Sequence, residues 1–243
     1  MIPKVIHFIY PLTEKTRPWS IVNELAIKLA RKHYPDYTIN IWTNKIDFPL
    51  MGSVIIKHCE LPMHIGGAEI VWPQYISDVM RLQILSEHGG VYMDTDILSL
   101  KPYNFASQEK LVLSWESSKF ESISNAMMAT PPNNLFIDQW LEKMPEAMES
   151  RTWAYGGVVL PRKLVMQPYL AYERIIHNHQ WCCPLDLSKN WLFDPALKEE
   201  AKEKCKDSYA IHVFETYWRD VVKNIDEQWI KKYDCLFSEL ARL

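Results

Sequence analysis

The stretch S-D-V-M-R-L-Q-I-L-S-E-H-G-G-V-Y-M-D-T-D, from Ser77 to Asp96, decides the reading of this chain. Gln74 to His88 is predicted to be a helix, and Gly89 sits where a helix ends in a left-handed backbone. Val91 to Asp94 then reads as a short buried strand, with Val91 and Met93 on one face and Tyr92 and Asp94 on the other. Asp96 lies just past it. A strand ending in paired carboxylates places acceptor oxygens on the rim of a sheet, where open α/β sheets bind ligands.

Working outward, Lys4 to Tyr10 is β-rich and stopped by Pro11, so it reads as a first strand. Trp19 to His33 has helical spacing of Ile21, Leu25, Ile27 and Leu29 and ends before Tyr34-Pro35-Asp36. Tyr37 to Thr43 is a second strand. Strand, helix, strand implies a parallel pairing. Residues 44–73 read as a loop with short helical pieces, and Gly66-Gly67 as a turn. Further strands are expected at Leu111 to Trp115, Ala126 to Thr130, Gly157 to Leu160 and Tyr209 to Phe214. Helices are expected from Leu135 to Met144, Lys163 to His179, and Ile225 to Leu240. The last is amphipathic, and either packs on the core or makes peripheral membrane contact. The alternation predicts an α/β fold in a single domain spanning 1–243, with helical additions.

Composition narrows the function classes. With 243 residues, a formal charge of -3 and 23% charged residues, nothing favours nucleic acid. Five cysteines, an odd count without C-x-x-C spacing, point to a reduced compartment rather than a disulfide scaffold or zinc site, and adjacent Cys182 and Cys183 are not expected to pair with each other. No apolar run approaches the roughly 20 residues of a membrane span. Met1-Ile-Pro-Lys4 leads straight into a strand, so no signal peptide is expected, and the location expected is cytoplasmic, in a bacterial or virus-infected cell.

Asp78 and Arg81 share a helix face. They are either a surface ion pair or, since Val79, Met80, Leu82, Ile84 and Leu85 make the helix apolar almost all round, a charged pair in a polar cavity. Asp94 and Asp96 are either an acidic turn or a cation site, since two close carboxylates favour a bound cation and hard oxygens suit Mg²⁺ or Mn²⁺. His177 and His179 read as surface histidines at a helix end.

This stretch resembles the D-x-D glycosyltransferases of the glycosyltransferase-A fold. It is most similar to glycosyltransferase family 32 and to the glucosylating domains of large clostridial toxins. Ser77, Asp78, Arg81, Leu85, Gly89, Gly90, Tyr92, Asp94 and Asp96 fill the signature A/S-S-D-x-x-R-x-x-x-L-x-x-x-G-G-h-Y-h-D-x-D, and Ile76 departs from it. Ile2 to Tyr10, Tyr37 to Thr43, Ile123 to Ala129 and Ile211 to Trp218 resemble further family segments. Tyr217 stands where Ser is usual, and Tyr155-Gly156-Gly157 where T-G-P often occurs.

The resemblance implies a Rossmann-like central mixed sheet flanked by helices, with a nucleotide-binding half (1–100) ending in the D-x-D motif and an acceptor half (101–243) carrying extra C-terminal helices. It also implies a retaining hexosyltransferase using a UDP- or GDP-sugar, as in polysaccharide biosynthesis. The acceptor would be a glycan or another hydroxyl. Tyr10 would stack on the base, and Ser77, Asp78, Arg81 and Asn125 would line the sugar. Tyr92 and Asp94 would contact the ribose and metal side, and Trp218 would cap the diphosphate. Asp94, Asp96 and His212 would hold Mn²⁺ or Mg²⁺, with Asp94, Asp96 and Arg81 as the catalytic set. Two other readings compete: a nucleotide-sugar-binding module without turnover, and a phosphatase of the haloacid-dehalogenase type. The latter usually wants Gly or Thr just after the second Asp, where Ile97 and Leu98 stand here.

Overall fold

The computed structural model describes residues 1–243 apart from Ile46, Asp47, Pro49, Leu50, Met51, Val71, Phe120, Arg151 and Trp153. In chain order the strands are β1 (Val5–Ile9), β2 (Thr38–Thr43), β3 (Val54–His58), β4 (His64–Ile65), β5 (Ala68–Glu69), β6 (Gly90–Met93), β7 (Ile97–Ser99), β8 (Leu111–Trp115), β9 (Ile123–Thr130), β10 (Arg174–His177) and β11 (Ala210–His212). The α-helices are α1 (Ile21–His33), α2 (Pro73–His88), α3 (Leu135–Ser150), α4 (Leu160–Val165), α5 (Lys198–Cys205), α6 (Glu215–Val222), α7 (Glu227–Lys232) and α8 (Leu236–Ala241). They group into two compact units. The first holds residues 1–17, 36–94 and 104–178; the second holds 18–35, 95–103 and 179–243.

The first unit is built on a seven-stranded mixed sheet in the order β10-β8-β9-β6-β1-β2-β3. Strand β1 pairs in parallel with β2 and β6, while β6 and β8 pair antiparallel with β9. All four residues of β6 are buried, as a strand covered on both faces requires. Val79, Leu82 and Leu85 of α2 pack in one core with Tyr92, Met128 and Leu113 of the sheet and with Phe136 and Trp140 of α3. The Gly89-Gly90 step between α2 and β6 admits no other residue cheaply. Both glycines have positive φ (62° and 96°), and a Cβ on Gly90 would lie 2.6 Å from Val5 Cγ1 and 2.8 Å from its carbonyl oxygen.

The second unit pairs β7 with β11 antiparallel, setting Ile97 opposite His212. Helix α1 starts with a capping box in which Ser20 and Asn23 bond reciprocally, at 2.9 and 3.4 Å. Phe193, Trp229 and Phe237 form an aromatic cluster under the closing helices.

Several elements depart from the sequence-based expectation. Part of the 44–73 loop is β-structure: β-branched Val54, Ile55 and Ile56 form the edge strand β3, and β4 and β5 pair as a small hairpin across Gly66-Gly67. The rest of that stretch includes residues outside the described ones. The strand expected at Gly157 to Leu160 is instead a π-helical turn, Tyr155–Val159, running into α4. The helix expected over Lys163 to His179 ends at Val165. Pro168 opens a 3₁₀ segment, and Ile175 and Ile176 sit in strand β10. The terminal helix is two: Asp226 caps α7, and Tyr233 takes an extended conformation before Cys235 starts α8. Among the described residues no helix is long and apolar enough to cross a membrane. None of the five cysteines is in a disulfide.

Candidate active site

In the first unit, the α2–β6 stretch builds a buried polar network. Asp94, one residue past β6, stays anchored to β9 through its N–H, which donates to Ala126 O at 2.7 Å. Arg81 reaches it from α2 at only 5% exposure. Its Nη2 lies 3.2 Å from Asp78 Oδ1 and 3.3 Å from Asp94 Oδ1, and its Nη1 donates to Asn125 O at 2.7 Å. The guanidinium carbon sits 4.5 Å from the centre of the Tyr92 ring. Asn125 Nδ2 donates to Asp78 Oδ1 at 2.9 Å, and the Tyr92 hydroxyl donates to Asp94 Oδ1. The Asp78–Arg81 pair is therefore a buried pair held by further partners, and the surface ion-pair reading is excluded.

Burial governs the protonation of this network. Desolvation pushes the Asp78 carboxyl up to about 6 despite the opposing pull of Arg81, and holds the Tyr92 hydroxyl well above its ordinary value. Both groups therefore favour their neutral forms more than exposed counterparts do. Asp78 and Asn125 present an acceptor and an amide in one place, a combination suited to neutral hydroxyl groups. The π-helical turn backs this pair. A Cβ on Gly157 would lie 2.5 Å from Asn125 Nδ2 and 3.1 Å from Asp78 Oδ2.

In the second unit, Asp96 is 8% exposed and held from several sides. Its Oδ1 lies 3.5 Å from His212 Nε2, its Oδ2 accepts the N–H of Glu215 at 2.8 Å, and its carbonyl accepts the N–H of Val213 at 3.0 Å. His212 ends β11, with its N–H on Cys182 O at 2.9 Å. Carboxylate oxygen is a hard donor of the kind Mn²⁺ and Mg²⁺ take, and an imidazole nitrogen beside it favours the transition-metal ion of the two. His212 and Trp218 line one cleft with Phe214, Asp186 and Lys189. Tyr217 is 59% exposed and turns its ring against the edge of Trp218, with centroids 4.9 Å apart.

The remaining expected residues are placed as follows. Tyr10 follows β1 at 8% exposure; its hydroxyl donates to Arg17 O at 2.7 Å and its ring meets Phe48 edge-on. Ser77 is half-buried, and its carbonyl accepts from Arg81 Nε at 3.3 Å. His177 and His179 belong to no three-ligand group among the described residues. The sequence reading missed Asn23 and Glu215, and met Gly157 only as part of the departure from T-G-P. Asn23 left a signal, an Asn three residues after a capping Ser, whereas buried Glu215 left none.

Residues 22–118 match the family model described as a glycosyltransferase sugar-binding region containing a DXD motif. Over its whole length the chain is 24% identical to glucan organizing enzyme 1 of Cryptococcus neoformans, spanning 70% of that protein. Over 100 residues it is 31% identical to human alpha-1,4-N-acetylglucosaminyltransferase, covering 41% of this chain and 28% of the human one. Among solved structures, the PaToxG glycosyltransferase superimposes with a TM-score of 0.51 at 16% identity, covering 99% of this chain and 87% of that one. The seven-stranded mixed sheet is the one the resemblance implied. Residues 22–118 therefore match the DXD-containing sugar-binding region of glycosyltransferases, and the chain has the glycosyltransferase-A fold.

Proposed function

We propose that this domain is a retaining hexosyltransferase that uses a nucleotide-diphosphate sugar, UDP- or GDP-linked, and a divalent metal. The observation that carries this reading is the buried Arg81 cation, fixed between Asp78 and Asp94 with Asn125 alongside. Burying charged groups costs free energy that good geometry and further hydrogen bonds only offset, so a buried pair is weak evidence of a stabilising role and favours a use in binding. Here it leaves Asp78 and Asn125 arranged for sugar hydroxyls. The human relative's name, an N-acetylglucosaminyltransferase, supports a hexose-type donor.

Asp94 and Asp96 enter through the motif, and His212 through its proximity to Asp96. When bound, the metal would supply charge that stabilises the departing diphosphate. The remaining steps fall to the protein. Arg81 and Asp78 orient the sugar, Asn125 bonds a hydroxyl, and Trp218 covers the diphosphate. Tyr10 remains the candidate for the base. The bond between the anomeric carbon and the diphosphate oxygen breaks, its electron pair leaving with the phosphate. An acceptor hydroxyl bonds the same face, and its proton passes to the departing phosphate oxygen. The acceptor is a glycan or another hydroxyl compound.

The test is a panel of nucleotide-sugars scored for Mn²⁺-dependent hydrolysis and thermal stabilisation. One donor is expected to stabilise the chain and be hydrolysed, with both effects lost in Asp94→Asn/Asp96→Asn. Full turnover in the double variant, or in excess chelator, would sink the metal mechanism.

A further inference from the structure

We infer that Asn23 is a positioning residue for Asp96, acting through Thr95 and Glu215. This rests on the reading of Asp96 as a metal ligand. Asn23 is 3% exposed and comes from α1, far in sequence from the motif. Its Oδ1 accepts the N–H of Ser20 at 2.9 Å. Its Nδ2 donates both to Thr95 O, in the middle of Asp-Thr-Asp, at 3.0 Å and to Glu215 Oε2 at 3.1 Å. An N–H on one side and two oxygens on the other fix which end of the amide is which.

Glu215 completes the chain of contacts. It is 6% exposed and opens α6 directly after Phe214, whose backbone is left-handed at φ 55°. Its N–H is the group that fixes Asp96 Oδ2. Clamping the Glu215 carboxylate fixes the start of α6, and with it the donor that aims Asp96. Asn23 thus holds the metal-ligating segment at Thr95 and, through Glu215, at Asp96.

The choice of Asn follows from these contacts. Capping boxes ordinarily place Glu or Gln at this third helical position. A Glu there would cap α1 equally well, but it would offer no donor to Thr95 and would set a second carboxylate beside Glu215. The cap needs only the amide oxygen, and the amide nitrogen serves the motif.

Asn23→Asp separates the two roles, because it keeps the cap acceptor and removes both donors. Two measurements on the purified chain decide. One is Mn²⁺ affinity by electron paramagnetic resonance; the other is amide exchange by NMR in metal-free protein. Asn23→Asp is expected to weaken Mn²⁺ binding about tenfold, the scale on which groups behind metal ligands act. It should also speed exchange of the Val213 and Glu215 amides while leaving Phe237, bonded to Leu192 O, unchanged. Glu215→Gln keeps an acceptor for Asn23 and should stay within about twofold of the native affinity. Native Mn²⁺ affinity in Asn23→Asp, unaltered exchange at Val213 and Glu215, or a Glu215→Gln as weak as Asn23→Asp would overturn the assignment. A native chain that binds no Mn²⁺ would instead remove the metal reading, and the exchange data alone would then decide the positioning role.

Discussion

The indole N–H of Trp42 donates to Nδ1 of His7 at 3.0 Å, which fixes His7 as the tautomer carrying its proton on Nε2, within 3.1 Å of Gly89 O. His7 is thereby tied to the glycine step that leads into β6. Burial holds its imidazole down to about 4, and a nearby His88 adds to the depression. In the fold it stays neutral where the unfolded chain takes up a proton. Its contribution is therefore complete above pH 6.5 and is lost as pH falls through about 4. The size is on the order of 3 kcal/mol. NMR of the imidazole nitrogens at pH 5 should show a neutral ring protonated at Nε2.

Asp78 runs the other way. Its carboxyl is raised to about 6, so the folded state binds the extra proton between the ordinary carboxylate value and 6, and stability falls as pH rises through that window. The two slopes oppose each other over nearly the same range. The native chain should therefore show a shallow stability profile between pH 4 and 6, whereas Asp78→Asn should lose stability steeply on acidification. Urea denaturation at stepped pH values checks this, and equal slopes in the two proteins would contradict it.

Arg81→Ala is expected to abolish turnover and also to cost about 3 kcal/mol, because it leaves Asp78 buried without its cation. This revises a purely catalytic reading of the residue. The stability deficit should shrink toward pH 5 as Asp78 takes up a proton, while turnover stays lost. A variant of native stability but no activity would mean that the buried pair contributes nothing to the fold.

Gly157→Ala tests the wall behind Asp78 and Asn125, the pair proposed to bind the sugar. Its Cβ would lie 2.5 Å from Asn125 Nδ2, so the amide must leave Asp78. The expected outcome is a KM for donor raised about tenfold with a smaller change in kcat, since the loss falls on binding already present in the ground state. Unchanged KM would show that Asn125 does not touch the donor.

Gly90→Ala has no such split. With φ at 96° and Val5 in the way, it should destabilise the chain by roughly 2–3 kcal/mol, read from a lowered urea midpoint at constant slope.

The legible parts of this chain were those whose signals are local. Helix α2, the Gly89-Gly90 stop and β6 follow one another without interruption, so apolar spacing and two glycines were enough. Strand β3 and the hairpin of β4 and β5 are short and sit among loop residues, where two to five residues carry no periodicity to read. The π-helical turn at Tyr155–Val159 mimics a strand because Val158 and Val159 are β-branched; packing of Gly156 against Met144 and Ala147 of α3 sets its backbone instead. At the site, Asp78, Arg81 and Asp94 were visible as a pattern, but their partners were not. Asn23 and Glu215 act on Thr95 and Asp96 through tertiary bonds between segments far apart in sequence, which no spacing rule encodes.

The strand order carries a consequence for synthesis. Strand β6 pairs Val91 with Ile6 on one side and with Ala129 on the other, and β10 reaches the sheet only from Arg174 onward. A nascent chain therefore holds one edge of β6 unpaired until β9 has emerged, and the outer edge of β8 stays open until β10 follows. The antiparallel β8–β9 pair and the small β4–β5 hairpin join neighbouring segments, whereas β6 pairs with strands far from it in the chain. Non-local pairing of this kind closes slowly and leaves apolar strands uncovered in the interim. The interval between emergence of β6 and β10 is the period in which this protein most needs protection from aggregation.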